Sequence, residues 1–345
     1  SDTDTGARQP GPGVAAFITG VALAWSMFQL WIASPLPFSL GIFVFNDTES
    51  RSIHLAFAVF LSFMSYPASK RSRRDIVPAL DWLLALTAAF CAAYLFLFYN
   101  DLATRPGQPT TVDITVGLIG MILLLEATRR VLGLPMVIVA SVFLFYTFAG
   151  SYMPGLIAHR GYSLARAMTH QWLTTEGVFG VALGVSRGFI FWFVWFGSLL
   201  DKAGAGNYFI KSAFALLGHM RGGPAKAAVL SSAATGLISG SSIANVVTTG
   251  TFTIPLMKRV GYRPDQAGAV EVSSSVNGQL MPPVMGAAAF LMVEYVGIPY
   301  TEVIKHAFLP AIISYVALLY IVHLEALKAD MQGLPRRSTA PWQQR

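Results

Sequence analysis

Residues 225–257 read AKAAVLSSAATGLISGSSIANVVTTGTFTIPLM, a long apolar segment whose middle is crowded with small polar residues. A helix that faces lipid would carry Leu and Val at these positions, whereas small and polar residues mark contacts with protein or with a water-filled cavity. Around Gly240 the segment places hydroxyl and amide groups next to glycine, at Ser239, Ser241, Ser242 and Asn245. The sequence therefore predicts a turn near Gly240 whose tip faces a ligand, and close helix packing over 225–237.

The composition is that of a membrane protein. Of the 345 residues, 54% are hydrophobic and 12% are charged, against about 25% charged residues in a soluble domain. The net charge of +7 comes from basic clusters between apolar segments, which is typical of the positive-inside rule rather than of nucleic-acid binding. Cys91 is the single cysteine, so we expect a buried small hydrophobic residue and neither a disulfide framework nor a thiolate metal site.

The basic clusters also predict the topology of an all-α polytopic protein. Stretch 69–75 and the pair at 129–130 are rich in Lys and Arg, which places both, and the N-terminus, in the cytoplasm. Stretch 151–177 alternates apolar and polar residues and is expected to lie in the membrane interface. The predicted spans are 15–33, 53–68, 79–99, 113–131, 134–150 and 178–200.

The segment 225–257 is predicted to be a re-entrant hairpin. Residues 201–202 and 258–263 are both charged and are both expected on the cytoplasmic side. A single long helix cannot enter and leave on one face, but two half-helices can. About 15 residues reach about 22 Å, which passes the bilayer midplane without crossing the membrane.

A second interruption follows within 266–296. The sequence NGQLMPP at 277–283 contains Pro282 and Pro283, which lack an N–H and disfavour helix in the preceding residue. Unwound backbone at membrane depth is found where carbonyl groups bind a cation. Residues 277–279 are interpreted as part of a Na⁺ site, with a purely structural kink as the alternative. Residues 297–306 are predicted to form a short surface helix, and 307–326 a returning span.

Ionisable residues inside apolar segments are functional candidates by default. We expect Glu126 to pair with Arg129 or Arg130, and Arg187 to pair with a neighbour. Glu271 is interpreted as paired or interfacial in preference to a proton relay. The six histidines lie at predicted segment ends or in connections, without metal-ligand spacing.

Two long motifs, NVVTTGTFTIPLMKR and GQLMPPVMGAAAF, resemble the large membrane subunit of tripartite ATP-independent periplasmic (TRAP) transporters. The sequences of these motifs are similar to those of the family branch served by TAXI-type binding proteins. In that branch the small and large membrane subunits are fused. The resemblance continues through EATRRVLGLP and HRGYSLARAMTHQWLTTEGVFG. It implies a disordered tail at 1–14, a four-helix small-subunit domain at 15–131, a connecting region at 132–200, half of an inverted-repeat elevator-type transport domain at 201–328, and a polar tail at 329–345.

The resemblance also implies a function. The family carries out Na⁺-driven symport of organic acids across the bacterial inner membrane, with a periplasmic TAXI-type protein delivering the substrate and the hairpin domain moving like an elevator. No catalytic residue and no cofactor besides the coupling Na⁺ is expected. Carried over to this sequence, the Na⁺ site would comprise Ser239, Ser242, Asn245, Asn277, Gly278 and Gln279, and the substrate would contact Ser241, Ser242 and Asn245.

One departure from the family pattern concerns the second repeat. The family's large subunit has two hairpins and two broken helices, whereas this chain shows one of each. We expect the second half to come from a longer sequence, from another chain or from a further copy, and a partial sequence is the favoured interpretation.

Two alternative functions remain open at this point. Region 15–131 has no internal polar cluster in its predicted helices, and it fits a non-transporting membrane scaffold. An intramembrane serine hydrolase is a remote alternative, with Ser241 as nucleophile and His219 as base, because a serine nucleophile needs a base within hydrogen-bond reach.

Overall fold

The computed structural model describes residues 6–69 and 71–333, and within those ranges every regular element is helical. The chain divides into two compact units, Ser1–Arg187 and Gly188–Arg345. The helices are α1 (Pro12–Ala33), α2 (Leu36–Leu40), α3 (Asp47–Ser65), α4 (Ala79–Leu97), α5 (Tyr99–Ala103), α6 (Thr111–Leu132), α7 (Leu134–Ala149), α8 (Leu164–Trp172), α9 (Val181–Val185), α10 (Phe191–Lys202), α11 (Ala205–Leu217), α12 (Gly223–Gly236), α13 (Ser242–Arg259), α14 (Pro264–Asn277), α15 (Ala287–Val296) and α16 (Tyr300–Lys328).

Six of the helical segments in the described ranges are long and apolar enough to cross a membrane. This confirms the prediction of an all-α membrane protein with several spans. Helix α3 is not among the six, because its first turns carry Asp47, Glu49 and Arg51, which lower its mean hydropathy. The six segments are Pro12–Ala33, Ala79–Leu97, Thr111–Leu132, Leu134–Tyr152, Val181–Lys202 and Tyr300–Lys328.

Helix α3 begins six residues before the predicted segment 53–68 because a capping box starts it. The side chain of Asn46 accepts from the Glu49 N–H at 2.9 Å, and the Glu49 carboxylate accepts from the Asn46 N–H at 2.9 Å. Two otherwise unpaired donors of the first turn are thereby satisfied. His54 consequently lies inside a helix and not at a segment end, which corrects its predicted position.

The core of the first unit is built around α3 and α4. Phe63 and Met64 of α3 are fully buried, and the apolar face of α8 packs against α6. The Trp172 indole N–H donates to the Cys91 carbonyl at 3.0 Å, and a Cβ at Gly120 would lie 2.2 Å from the Trp172 ring. Of the predicted interfacial stretch 151–177, therefore, only Leu164–Trp172 is an α-helix, and Trp172 anchors it in the core.

The prediction that the four-helix region has no internal polar cluster is wrong. Asp81 of α4 accepts from Arg8 and, at 2.9 Å, from Arg130 of α6, and all three side chains are buried. Glu126 accepts from Arg130 at 2.8 Å and from Arg129 at 2.7 Å, which confirms its predicted pairing. The charges are buried together because opposite signs compensate one another's loss of water.

A second polar cluster of the same unit surrounds His54. Its ring nitrogens contact the amide of Gln29, the Trp25 indole N–H at 3.1 Å and the Ser186 hydroxyl at 3.2 Å. Nearby, Arg187 donates to Asp47 at 2.9 Å. The predicted pairing of Arg187 with a neighbour is thus confirmed.

The predicted terminal tails are partly ordered by contacts. Residues 1–5 and 334–345 lie outside the described ranges. The Arg8 N–H donates to the Ser65 carbonyl at 2.8 Å, so the prediction of disorder is wrong for the residues next to α1, because the Arg8 side chain reaches Asp81. At the other end, Met331 is buried against the second unit and its N–H donates to the Ala326 carbonyl at 3.0 Å.

The second unit packs α12 at its centre. Ala225, Ala228 and Val229 are fully buried against residues that include Met257 and Val322. The interpretation of 225–237 as a close-packing helix is confirmed. Small side chains let neighbouring helices approach α12 on all sides.

The predicted division between a surface helix at 297–306 and a span at 307–326 is wrong. Helix α16 runs without interruption from Tyr300 to Lys328. Residues 300–309 contain neither Gly nor Pro, so nothing stops the helix there. Pro310 lies inside it and removes one N–H donor, which a membrane helix tolerates when neighbouring groups satisfy the freed carbonyl.

Candidate functional site

The chain leaves helical geometry between α12 and α13, at residues 237–241. Helix α12 ends at Gly236 and α13 begins at Ser242. Ser241 caps α13, since its hydroxyl accepts from the Ala244 N–H at 3.2 Å. The predicted break at Gly240 is confirmed, whereas the re-entrant path through a membrane stays a prediction.

A second break separates α14 from α15. After Asn277 the backbone forms one short 3₁₀ turn and then an irregular segment that ends at Gly286. The Gly286 N–H donates to the Gln279 carbonyl at 2.7 Å. The Tyr300 hydroxyl of α16 contacts the carbonyls of Pro283 and, at 3.0 Å, Val284. The interruption predicted at 277–283 is confirmed; it begins one residue later, after Asn277, and ends three residues later, at Gly286.

The two breaks pack against each other through their main chains. A Cβ placed on Gly240 would lie 1.5 Å from the Met285 carbonyl oxygen, and one on Gly236 would lie 2.8 Å from the Gly278 Cα. Only glycine permits such an approach. The Gln279 amide then donates to the Ser242 hydroxyl at 2.9 Å, so side chains join the breaks where the backbones meet.

A large cavity lies beside this contact, entirely within the second unit. Its volume is about 990 Å³, which is sufficient for a small organic molecule. Apolar side chains of α10 and α15, such as Phe193 and Phe290, form much of its wall. The polar side chains of its wall that belong to the two breaks and their helices are Thr235, Ser239, Ser241, Thr248 and Gln279.

The helices that follow the breaks both begin at this cavity. Ser241 and Ala244 at the start of α13, and Gly286, Ala287 and Ala288 at the start of α15, line its wall. The first N–H groups of a helix lack intrahelical partners and carry a partial positive charge. These two helix starts therefore favour a negatively charged group, whereas Asp201 elsewhere on the wall disfavours one close to it, and His306 is a further ionisable side chain of the lining.

The structure divides the predicted site residues into two groups. The cavity is lined by Ser239, Ser241 and Gln279, whereas Ser242, Asn245, Asn277 and Gly278 do not line it.

The predicted substrate contact of Asn245 stays a prediction, because the structure shows how its side chain packs within the protein. Its side chain is fully buried; its Oδ1 accepts from the Ser232 hydroxyl at 3.1 Å and its amide donates to the Ser232 carbonyl at 2.9 Å. Both ends of the amide are thus used to fasten α13 to α12. The predicted substrate contact of Ser242 likewise stays a prediction, and its hydroxyl contacts Gln279. Gly278 lies beneath the Asn245 amide: a Cβ built on Gly278 would lie 2.8 Å from the Asn245 Nδ2 atom.

Sequence reasoning missed Thr235 as a cavity residue, whereas Thr248, which also lines the cavity, was divided between helix packing and the site. Thr235 is buried, and its hydroxyl has no hydrogen-bond partner among the described residues. The signal was present in the spacing, because Thr235 precedes Ser239 by four residues and so shares its helix face. The Ser239 N–H donates to the Thr235 carbonyl at 3.0 Å, which holds the two residues together.

Glu271 of α14 is buried, and no ion pair joins it to another residue of 6–69 or 71–333, which corrects its predicted setting. It is fully buried, and its carboxyl group contacts the hydroxyls of Thr249 and Thr253 on α13. The Ser275 hydroxyl lies 3.4 Å from the same group.

Metal binding by side chains and serine hydrolysis are the two other kinds of chemistry that the described residues bear on. Within residues 6–69 and 71–333, no group of three or more His, Cys, Asp or Glu side chains lies close enough to hold a metal ion. The Ser241 hydroxyl contacts a backbone N–H, and no hydrogen bond from a histidine reaches it in the described part of the chain. In the structure the Ser241 hydroxyl thus has the role of a helix cap, and the hydrolase hypothesis stays untested.

Residues 119–344, about two thirds of the chain, match the family described as "Tripartite ATP-independent periplasmic transporter, DctM component". The chain belongs to this family. The match includes both helix breaks and the cavity, so the site described above lies within the TRAP permease region of the sequence.

Curated relatives carry matching names. The chain is 30% identical over 149 residues to the C4-dicarboxylate TRAP transporter large permease protein DctM of Pseudomonas aeruginosa, an alignment that covers 42% of this chain and 34% of the relative. It is 38% identical over 92 residues to the DctM protein of Rhodobacter capsulatus, covering 26% and 21%. It is 27% identical over 154 residues to the ectoine TRAP transporter large permease protein TeaC of Halomonas elongata, covering 44% and 35%.

The alignments with the Pseudomonas and Halomonas proteins span about a third of the length of those relatives, and the alignment with the Rhodobacter protein about a fifth. The relatives are transporter permease components, and the chain is accordingly a multi-pass membrane component of a TRAP permease.

Proposed function

We propose that this chain forms one wall of the substrate and Na⁺ pathway in a TRAP system that imports a small organic acid across the bacterial inner membrane. The observation that carries the proposal is the main-chain contact between two helix breaks at the wall of a cavity of about 990 Å³. Discontinuous helices of this kind expose carbonyl oxygens to a cation and helix N-termini to an anion.

The anion is a carboxylate in this proposal. The N-termini of α13 and α15 reach the cavity, and they attract negative charge without a permanently charged side chain. The relatives named for C4-dicarboxylate transport support a dicarboxylate as the first substrate to test.

The cation is Na⁺, held by neutral oxygen atoms at the cavity wall. Thr235 supplies a buried hydroxyl without a partner, and Ser239 and Gln279 line the same wall. Asn245 and Gly278 then act behind them, holding the two breaks in contact. A bound Na⁺ stabilises the arrangement of the two helix breaks that binds the substrate, and the ion and the substrate are then transported together.

The first unit supports this machinery in the bilayer. Its buried charge pairs, such as Asp81 with Arg130, connect helices of the region that resembles the small subunit. We assign the first unit a scaffold role, fused to the transport unit and with its N-terminus in the cytoplasm. The transport unit moves like an elevator in this proposal. A TAXI-type binding protein is the proposed partner.

Uptake measured in proteoliposomes tests the proposal. The permease that contains this chain is reconstituted with its periplasmic binding protein, and labelled C4-dicarboxylate is added under an inward Na⁺ gradient. We expect uptake that requires both Na⁺ and the binding protein. Uptake of equal rate in K⁺ alone would refute the Na⁺ coupling, and uptake without the binding protein would refute the assignment of the partner.

A further inference from the structure

The carboxyl group of Glu271 occupies a closed polar pocket between α13 and α14. The residue is fully buried, and its two carboxyl oxygens contact the hydroxyls of Thr249 and Thr253. The pocket exists because of Gly250, where a Cβ would lie 3.1 Å from the Glu271 Cγ. Sequence and packing thus reserve this space for one carboxyl group.

No positive charge compensates this carboxyl group. Across residues 6–69 and 71–333, no Lys, Arg or His side chain forms an ion pair with Glu271. Lys226 of α12 contacts His323 of α16 at 3.0 Å instead. The remaining charged groups of the surrounding helices lie near helix ends: Lys258 and Arg259 on α13, Asp265 on α14, and Glu302, Lys305, His306, Glu325 and Lys328 on α16. Tyr315, in the middle of α16, is buried and donates to the Ser274 carbonyl at 2.9 Å, so it supplies no positive charge. A carboxylate without a cation in such a setting carries a large desolvation cost.

The hydroxyl groups around Glu271 have other acceptors for their protons. Thr249 donates to the Asn245 carbonyl at 2.8 Å, and Thr253 donates to the Thr249 carbonyl at 3.0 Å. Each threonine hydroxyl has one proton and two lone pairs. The same two hydroxyls also donate to the Glu271 carboxyl oxygens, and the Ser275 hydroxyl lies 3.4 Å from one of them, so each threonine proton is shared between a backbone carbonyl and the carboxyl group. A proton on Glu271 would leave both threonine protons on the backbone carbonyls and let the acid donate across the gap.

A metal ion does not fit between these oxygen atoms. Ligand oxygens at about 2.4 Å from a hard cation lie about 3.4 Å apart when they are neighbours in its coordination shell. The threonine and carboxyl oxygens are in direct hydrogen-bond contact. A proton is the one cation that this geometry accommodates.

We propose that Glu271 is a protonation site, a neutral carboxylic acid that donates its proton to the hydroxyl of Thr249 or Thr253 and so joins α13 to α14 behind the helix breaks. The carboxylate takes one proton from a hydronium ion of the solvent, which leaves a neutral water molecule, and no other group of the protein changes its charge. The site is separate from the cavity and from the Na⁺ site proposed above, and it does not require either.

Infrared spectroscopy of the permease in nanodiscs tests this proposal. A difference spectrum between the wild type and Glu271→Gln near neutral pH is expected to show loss of the C=O stretching band of a protonated carboxylic acid. Thr253→Val is expected to shift that band to higher frequency, because the acid loses a hydrogen-bond acceptor. Glu294→Gln is the matched control, since Glu294 is exposed and its substitution should leave the band unchanged.

The opposite spectrum would overturn the proposal: carboxylate bands lost in Glu271→Gln with the acid region unchanged. Thermal unfolding gives a second reading. Gln keeps the shape and neutrality of the acid, so Glu271→Gln should unfold near the wild-type temperature while Glu271→Ala unfolds earlier. Equal destabilisation by both substitutions would also contradict a neutral Glu271. Neither measurement depends on Na⁺ or on transport, so the outcome is independent of the proposed function.

Discussion

The two units of the chain bury polar groups by different means. The unit Ser1–Arg187 uses opposite charges, as in the pair of Asp81 with Arg130 and the contact of Asp113 with Arg105. The unit Gly188–Arg345 uses neutral groups around Asn245, together with glycines at the points where main chains touch.

The difference shows what each unit can do with its backbone. Buried ion pairs fasten intact helices, and removing one partner leaves an uncompensated charge. Neutral hydrogen bonds and glycine contacts instead hold helices that are interrupted, so that carbonyl and N–H groups can reach a cavity. Only the second arrangement exposes main-chain groups to a ligand.

The largest expected effect concerns the glycine contact. Gly240→Ala places a Cβ where the Met285 carbonyl lies, which forces the breaks apart. We expect uptake to fall more than about tenfold, which corresponds to about 1.4 kcal/mol or more. Gly268→Ala is the control, because no atom lies within 4 Å of a Cβ at Gly268. Uptake is measured in proteoliposomes; normal transport by Gly240→Ala would show that the breaks do not need this contact.

Removing a charge from the first unit tests the other half of the comparison. Asp81→Asn leaves Arg8 buried without its carboxylate and Arg130 with Glu126 alone, and we expect a loss of about 3–5 kcal/mol in the free energy of unfolding. Asp75→Asn, at an exposed pair with Arg73, should change stability far less. Denaturant unfolding in detergent measures both, and equal effects would mean that burial of the pair does not matter.

A change at the cavity wall should alter ion binding without unfolding the protein. Thr235→Val keeps the side-chain shape but removes the unpartnered hydroxyl. We expect the Na⁺ concentration for half-maximal uptake to rise about tenfold, the value of one lost oxygen ligand at about 1.4 kcal/mol. Thr115→Val serves as the control, because its exposed hydroxyl bonds only to the Thr111 carbonyl. An unchanged Na⁺ dependence in Thr235→Val would remove this residue from the site.

The smallest expected effect lies at the edge of the second break. Tyr300→Phe removes the hydroxyl that contacts the Pro283 and Val284 carbonyls, a loss of about 1 kcal/mol. Tyr320→Phe is the comparison, since Tyr320 is 61% exposed and should tolerate the change. Thermal unfolding and uptake are measured for both variants; identical behaviour would show that Tyr300 does not position the break.

Patterns in the sequence predict the elements of the site better than its contacts. The breaks at Gly240 and at 277–283 follow from glycine, proline and small polar residues, which act locally. The direction of the Asn245 side chain does not follow from the local sequence, because it depends on how α12 packs beside α13. The long run of α16 was missed because a charged stretch at its start resembles a surface helix, although nothing in it ends a helix.

The length of α16 has a mechanical consequence. Its 29 residues extend about 44 Å, well beyond the roughly 30 Å of a hydrocarbon core. Pro310 lies about one third of the way along, at the cavity wall, and a proline is where a long helix bends most easily. A bend at Pro310 would therefore move the two parts of α16 relative to each other beside the cavity and change the shape of its wall.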